Sequence, residues 1–482
     1  TVPADGSAQA RQLTSGLANN FTPAWSPDGK AIVFSRSRTG PRDAHRTDLW
    51  RMNADGSDAR QLTDGLAVVS APAWSPDGSK IAFQGSEREG DARMGLWVID
   101  AEGGAPRRLG GDDFEIASYP LDNSSPPYWT SDSSALFVLQ GHQSTSRIVR
   151  ITLADEAVTP IVDDDRQVTM LSVAPAADRL IFAASDTLRF CELFTVTLAG
   201  GEPRRLAAPN AAWAAGRLEY EVEHRTFRSS DGEGEGRDGW LLMPRGDGGP
   251  RPLWVDFHGG PHTFVSLGYP YHPYWHVLLS QGWAVLALNT LGSASYGASF
   301  AERLRGSWGE SDLPEHLAAI DQLVEEGVVD PKRIAIGGKS YGGYLSAWAI
   351  GQTQRFCAAV VSAPVADMVS HFGTSDSGYY VTPFAMDGEV HEKRETYDRL
   401  SPVRWLDNVT TPTLLLQGEE DQRCPVGQSE EIFATLMRLG KAPVEFVRYP
   451  GGDHHLAEQG TPSHRVDYTR RIVGWAQRWS SQ

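Results

Sequence analysis

An all-β repeat array followed by an α/β domain is the fold class predicted by this 482-residue sequence, and three observations predict it. A Trp-Ser-Pro-Asp-Gly pentapeptide recurs within the first 215 residues. Beyond residue 250, strand-length apolar runs alternate with helix-compatible stretches. One such run, Arg333-Ile334-Ala335-Ile336-Gly337, leads directly into Gly338-Lys339-Ser340-Tyr341-Gly342.

The repeat comes first in the chain. Trp25-Ser26-Pro27-Asp28-Gly29 returns as Trp74-Ser75-Pro76-Asp77-Gly78, then as Trp129-Thr130-Ser131-Asp132, and most weakly as Val173-Ala174-Pro175-Ala176. Ser at the first position, Pro at the second and Gly at the fourth suit a type I turn, so each copy should link two antiparallel strands. Strands are expected at 31–35, 80–84, 135–140 and 179–184, each followed by a second strand such as 48–52 or 95–99. A period of about fifty residues with turn chemistry at fixed offsets is how propeller blades read. The tryptophans are expected to be core, packing one blade on the next. Residues 5–14 match 55–63, the closing turn and strand of a blade, so the array is expected to begin in mid-blade, as a β-propeller incomplete at its N-terminus.

The second part carries the chemistry. An apolar strand entering G-x-S-x-G and then a helix describes a nucleophile elbow, whose glycines let the backbone turn sharply and lift the serine off the sheet edge. That makes the fold an α/β-hydrolase and Ser340 a candidate nucleophile. Partners should follow in the order acid, then histidine, on loops at strand ends. The run Thr413-Leu414-Leu415-Leu416 breaks at Gly418 into Glu419-Glu420-Asp421, where Asp421 is preferred over its two neighbours, although most loop carboxylates are simply solvated. After the strand-like 444–449 comes Gly451-Gly452-Asp453-His454-His455; a histidine there has the near-neutral pKa of a general base, and spacing leaves His454 and His455 both open. Upstream, Leu253-Trp254-Val255-Asp256-Phe257 runs into His258-Gly259-Gly260-Pro261-His262, whose glycines can turn a backbone N–H toward the site. No His/Cys/Asp set at ligand spacing accompanies His258 and His262, so no metal and no cofactor are expected.

The motifs F-H-G-G-P-H (257–262), G-K-S-Y-G-G (338–343), G-E-E-D-Q-R-C-P (418–425) and Y-P-G-G-D-H-H-L (449–456), with Ser295-Tyr296-Gly297 through Trp308-Gly309 and Phe372-Gly373-Thr374-Ser375-Asp376, resemble the prolyl oligopeptidase family in its acylaminoacyl-peptidase branch. The likeness is close from residue 217 to the C-terminus. It implies Ser340 as nucleophile, Asp421 as acid, His454 as base, and the N–H groups of Tyr341 and Gly260 as oxyanion donors. The family usually reads Glu-Ser-His-Gly where this chain has Gly452-Asp453-His454-His455. It also implies a seven- or eight-bladed propeller that caps the site and admits only short peptides, so further blades are expected beyond the four visible here.

Length and composition agree with two domains, 1–215 and 216–482, joined near 208–217, with Asp231 to Gly239 as a hairpin-like entry or a loop. A net charge of −17 argues against nucleic acid or an anionic membrane as partner. Three cysteines form no disulfide framework, and no apolar run spans a bilayer, so a cytoplasmic protein is expected; a homo-oligomer stays compatible. The alternatives are an esterase or lipase on the same fold and a non-catalytic interaction propeller with a decayed hydrolase. Phe372, Tyr379, Tyr380 and Phe384 are candidates for the substrate pocket, though large aromatics are at least as often core. The Glu-Glu pairs (Glu325-Glu326, Glu419-Glu420, Glu430-Glu431) all lie after residue 216, which disfavours recognition of a free N-terminus by propeller glutamates. A serine carboxypeptidase would need an Arg fork for the terminal carboxylate, for which Arg303, Arg305, Arg404 and Arg423 are candidates. The favoured expectation is release of an N-terminal acylated residue.

Overall fold

The computed structural model describes every residue except 3–4, 118–124, 218–219, 231–235, 247, 266, 268–271 and 482. Two compact units emerge: Thr1–Ala184 with Glu192–Ala207, and Ser185–Cys191 with Ala208–Gln482.

The first unit holds two four-stranded antiparallel sheets and one eight-stranded sheet. The latter consists of two four-stranded sets joined through the single parallel pair Ser146–Gln167. Each set begins with a strand, the repeated turn and a second strand, as in Asn20–Trp25 paired with Ala31–Ser37 and Val68–Trp74 paired with Lys80–Ser86. The turns close as the tetrad chemistry dictates: Gly29 N–H donates to Ser26 C=O and Gly78 N–H to Ser75 C=O, both at 2.9 Å. Gly suits that fourth position because φ there is 69° and 73°, although Ser133 holds the same place in the third copy at φ 60°.

The tryptophans are only partly what the sequence suggests. The indole N–H of Trp74 donates to Ala24 C=O at 3.2 Å and that of Trp129 to Ala73 C=O at 3.0 Å, so each ties its blade to the preceding one. Trp25 is 51% exposed, because no described strand precedes its blade to cover it. Residues 5–14 form no strand, contrary to the expected closing strand of a further blade. Arg60–Gln61, the segment they resemble, is a strand only by pairing with Thr47–Asn53, and residues 5–14 have no such neighbour among the described residues. Arg11 instead donates to Asp55 C=O at 2.8 Å.

The second unit is an eight-stranded sheet. Its strands are β1 (Tyr220–Phe227), β2 (Arg237–Pro244), β3 (Arg251–Phe257), β4 (Ala284–Leu288), β5 (Val329–Lys339), β6 (Ala358–Ser362), β7 (Thr413–Gly418) and β8 (Val444–Tyr449), in the order β1-β2-β4-β3-β5-β6-β7-β8. The first two form an antiparallel hairpin, Phe227 opposite Arg237, at the expected entry; residues 231–235 lie outside the described residues. Strand β2 also pairs antiparallel with β4, and the pairs from β4–β3 through β7–β8 along the sheet are all parallel. Parallel strands need helical crossovers that cover both faces, and the apolar runs reflect this. Along β3 and β5, Leu253, Val255, Ile334 and Ile336 enter one core cluster, while Trp254 and Ala335 enter the other. The period of two thus sends alternate residues to opposite cores, and the C-terminal ends of β5, β7 and β8 are left to carry the loops of interest.

Candidate active site

At the end of β5, Ser340 sits at φ 63°, ψ −120°, between the strand and the helix Tyr341–Gln352. Such a conformation in a non-glycine residue needs its surroundings to impose it. Two hydrogen bonds do so: Ser340 N–H donates to Ser362 C=O at 3.0 Å, and Tyr344 N–H to Ser340 C=O at 2.9 Å. The glycines allow the backbones to close up around the turn. A Cβ on Gly342 would lie 1.9 Å from Phe257 O, one on Gly338 2.4 Å from the same oxygen, and one on Gly343 2.2 Å from Ser362 O. The serine remains partly exposed.

Asp421 and His454 meet at the ends of β7 and β8. His454 Nδ1 lies 2.8 Å from Asp421 Oδ2, with the carboxylate side chain wholly buried and the imidazole 13% exposed. The N–H groups of Arg423 and Cys424 donate to Asp421 Oδ1 at 2.9 and 2.8 Å, and Gln417 Nε2 to Oδ2 at 3.3 Å. These donors leave the buried carboxylate satisfied and fix its direction. Glu419 and Glu420 are exposed, and Glu419 pairs with Arg448 at 3.0 Å. His455 Nδ1 lies 4.0 Å from Glu458, and burial lowers its pKa.

The loop after β3 comes against the elbow: a Cβ on Gly259 would stand 3.7 Å from the Ser340 Cβ. Gly260 is at φ 126°, where a side chain would also press on His262 N and Thr263 Oγ1, both 2.9 Å from its Cβ position. His258 and His262 secure this loop through their ring nitrogens, with Nδ1 to Gly259 O at 2.8 Å and to Gly292 O at 3.0 Å respectively. No group of three or more His, Cys, Asp or Glu side chains able to hold a metal ion occurs among the described residues. Tyr341 opens the helix after the serine, so its N–H is one of the first-turn donors without an intrahelical partner.

The other candidates are placed variously. Phe372 packs on the larger core cluster, and Phe384 is 7% exposed beneath the Arg305 guanidinium, 4.6 Å away. Tyr379 is 36% exposed and meets Tyr380 edge-on at 5.1 Å. Arg305 pairs with Asp387 at 2.7 Å, Arg404 with Asp398 at 2.9 Å and Arg423 with Asp376 at 2.7 Å, while Arg303 is exposed.

Several buried polar residues around the elbow escaped the sequence reading. The Tyr341 hydroxyl donates to Asp312, whose carboxyl burial pushes up to about 6. Asp256, also pushed up to about 6 by burial, receives Trp254 Nε1 at 2.9 Å, Tyr274 Oη at 2.8 Å and Trp275 Nε1 at 2.8 Å. Lys339, the variable residue of the pentad, pairs with Glu458. The one available signal was a charged residue inside an otherwise apolar strand, as at Asp256 and Lys339. Cys424 lies against this site with its thiol raised far out of the reactive range by burial, beside Asp421 and Ser340.

Comparison with known proteins places this arrangement. The prolyl oligopeptidase family model matches residues 272–482, and the TolB β-propeller model matches residues 5–215. An uncharacterized peptidase of Bacillus subtilis, YuxL, is 35% identical across 97% of this chain and 72% of its own length. The chain belongs to the prolyl oligopeptidase family. Other members match less of their own length: dipeptidyl-peptidase 5 of Porphyromonas gingivalis is 26% identical over 73% of this chain and 51% of its own, and the mouse acylamino-acid-releasing enzyme 34% over 45% and 31%. The chain therefore spans about half and about a third of those two relatives. In fold, the acylaminoacyl peptidase of Pyrococcus horikoshii superposes with a TM-score of 0.83 at 24% identity, covering 99% of this chain and 73% of that one. The family is the one the motifs led one to expect.

Proposed function

We propose that the protein releases an N-terminal acylated residue from short peptides through Ser340, His454 and Asp421. In this reading His454 Nε2 takes the hydroxyl proton as the Ser340 oxygen attacks the scissile carbonyl, and later returns it to the leaving amine. Asp421 holds the ring with its proton on Nδ1 and stabilises the imidazolium. The N–H groups of Tyr341 and Gly260 receive the developing oxyanion. Water then hydrolyses the acyl-enzyme by the same steps in reverse order.

The 2.8 Å contact between His454 Nδ1 and the buried Asp421 carboxylate, together with a serine held at φ 63° on the elbow, supports the reading. The acyl preference is supported by the name of the mouse relative and by the ion pairs that occupy Arg305, Arg404 and Arg423, which leave no idle guanidinium among those three for a terminal carboxylate. The three unpaired cysteines support a cytoplasmic location; no helix among the described residues is long and apolar enough to cross a membrane.

Acetyl-alanyl peptides with free and amidated C-termini, digested and read by mass spectrometry, test this. The acetylated residue should be released from both forms. Cleavage that amidation abolishes and loss of the acetyl group does not would make the protein a carboxypeptidase. Hydrolysis of p-nitrophenyl esters with no cleavage of peptide anilides would make it an esterase.

A further inference from the structure

We propose that Lys339 is a positioning residue, binding the loop that carries His454 to the strand end that carries Ser340. The proposal rests on the reading of those two residues as base and nucleophile. Lys339 is the last residue of β5, one position before the serine. Its ammonium, 23% exposed, donates to the backbone carbonyl of His454 at 3.1 Å and pairs with Glu458, whose side chain is 10% exposed. Glu458 lies on the short helix Leu456–Gln459 that leaves the same loop, and its N–H donates to His455 C=O at 3.1 Å. One cation therefore grips the loop at both ends of the stretch 454–458.

Two independent pins then act on the imidazole. Asp421 fixes the ring at Nδ1, and Lys339 fixes the backbone that bears it. With only the first, the ring can swing about its hydrogen bond and carry Nε2 away from the serine oxygen. Displacement of a catalytic group by about 1 Å can cost about a hundredfold in rate. A merely stabilising role explains the pair poorly, since a largely buried lysine and glutamate give up much hydration in exchange for their attraction. Glu458 Oε2 has no hydrogen-bond partner and lies 4.0 Å from His455 Nδ1, so the carboxylate is committed to Lys339 through its other oxygen. The family motif leaves this position of the pentad free, and only the structure brings it to the base loop.

The test compares Lys339→Met, Lys339→Arg and Glu458→Gln in the full chain, with hydrogen exchange of residues 453–459 and the kinetics of acetyl-alanyl anilide hydrolysis. Lys339→Met should speed exchange of that segment and lower kcat by about 10- to 100-fold, with KM within about twofold. Lys339→Arg, which can still reach both acceptors, should regain most of the rate, and Glu458→Gln should fall between. Unchanged kcat in Lys339→Met overturns the proposal, as does a loss that arginine fails to rescue. If the wild-type chain cleaves no peptide, it is the peptidase reading that has failed; exchange alone then decides, with faster exchange in Lys339→Met supporting the tie and equal exchange overturning it.

Discussion

Ser340 holds a backbone conformation that costs about 1–3 kcal/mol in a residue with a side chain, and its hydrogen bonds to Ser362 C=O and from Tyr344 N–H hold the turn in it. Ser340→Ala should abolish labelling by a fluorophosphonate and reduce turnover by several orders of magnitude. Asp421→Asn, which keeps the shape and reverses the hydrogen-bonding demand on His454, should lower kcat by about 10⁴ with folding intact. Of the two adjacent histidines, His454→Ala should inactivate and His455→Ala should not, measured as steady-state hydrolysis of the same anilide. The elbow at Ser340 and the strand-end loop of Asp421 were legible because turn chemistry and a broken apolar run announce them. It left His454 and His455 open because spacing does not say which ring faces the buried carboxylate. The close approach of the loop after β3 to the elbow was legible only through glycine placement, and Asp312 and Asp256 not at all, since nothing local marks a carboxylate whose partners come from distant segments.

At the scale of single elements, the elbow depends on three backbones meeting where no Cβ fits. Gly342→Ala would drive a methyl group to within 1.9 Å of Phe257 O, so the variant should yield little folded protein, checked by soluble yield and thermal melting. Gly474 makes the useful contrast: it lies exposed in the helix Pro462–Ser480 with nothing within 4 Å of a Cβ. Gly474→Ala should stabilise the protein by about 0.5–1 kcal/mol in a denaturant titration. The blades show a similar division in what the sequence could tell. Their turns were readable because Ser, Pro and Gly each fill one stereochemical role. The fate of residues 5–14 and of Trp25 was not, because a strand and a buried indole both require a neighbour that local sequence does not supply.

For the molecule as a whole, the hydrolase unit stores several titratable groups away from water. Burial lowers His272 and His316 to about 3, and His276 and His371 to about 4, all from 6.5. Their unfolded counterparts take up protons as pH falls through 6.5 while the folded forms refuse them, so each removes stability on acidification. Asp256 and Asp312 act in the opposite sense: raised to about 6 from 3.8, they keep a proton when folded that the unfolded chain has lost, and favour the fold between those values. Four histidines against two carboxyls leave the unfolded state binding more protons between pH 6 and 4. The melting temperature should therefore fall steadily from pH 7 to 4.5, and His316→Leu, which removes a ring whose Nδ1 has no hydrogen-bond partner, should flatten the slope by about one proton. The order of the two domains and the parallel sheet were legible at this scale, because repeats and apolar run lengths are long-range signals. The buried histidines were not, since a histidine in a loop and one in a core read alike.

The proposed peptidase activity depends on one chemical event, transfer of an acyl group to Ser340 promoted by His454, which a phosphonyl transfer mimics. Treating the wild-type chain, Ser340→Ala and His454→Ala with a fluorophosphonate and locating the adduct by peptide mass spectrometry tests it directly. A single adduct on Ser340 is expected in the wild type, none in Ser340→Ala, and labelling slowed by several orders of magnitude in His454→Ala. An adduct on another residue, or equal labelling of Ser340 with and without His454, would contradict it.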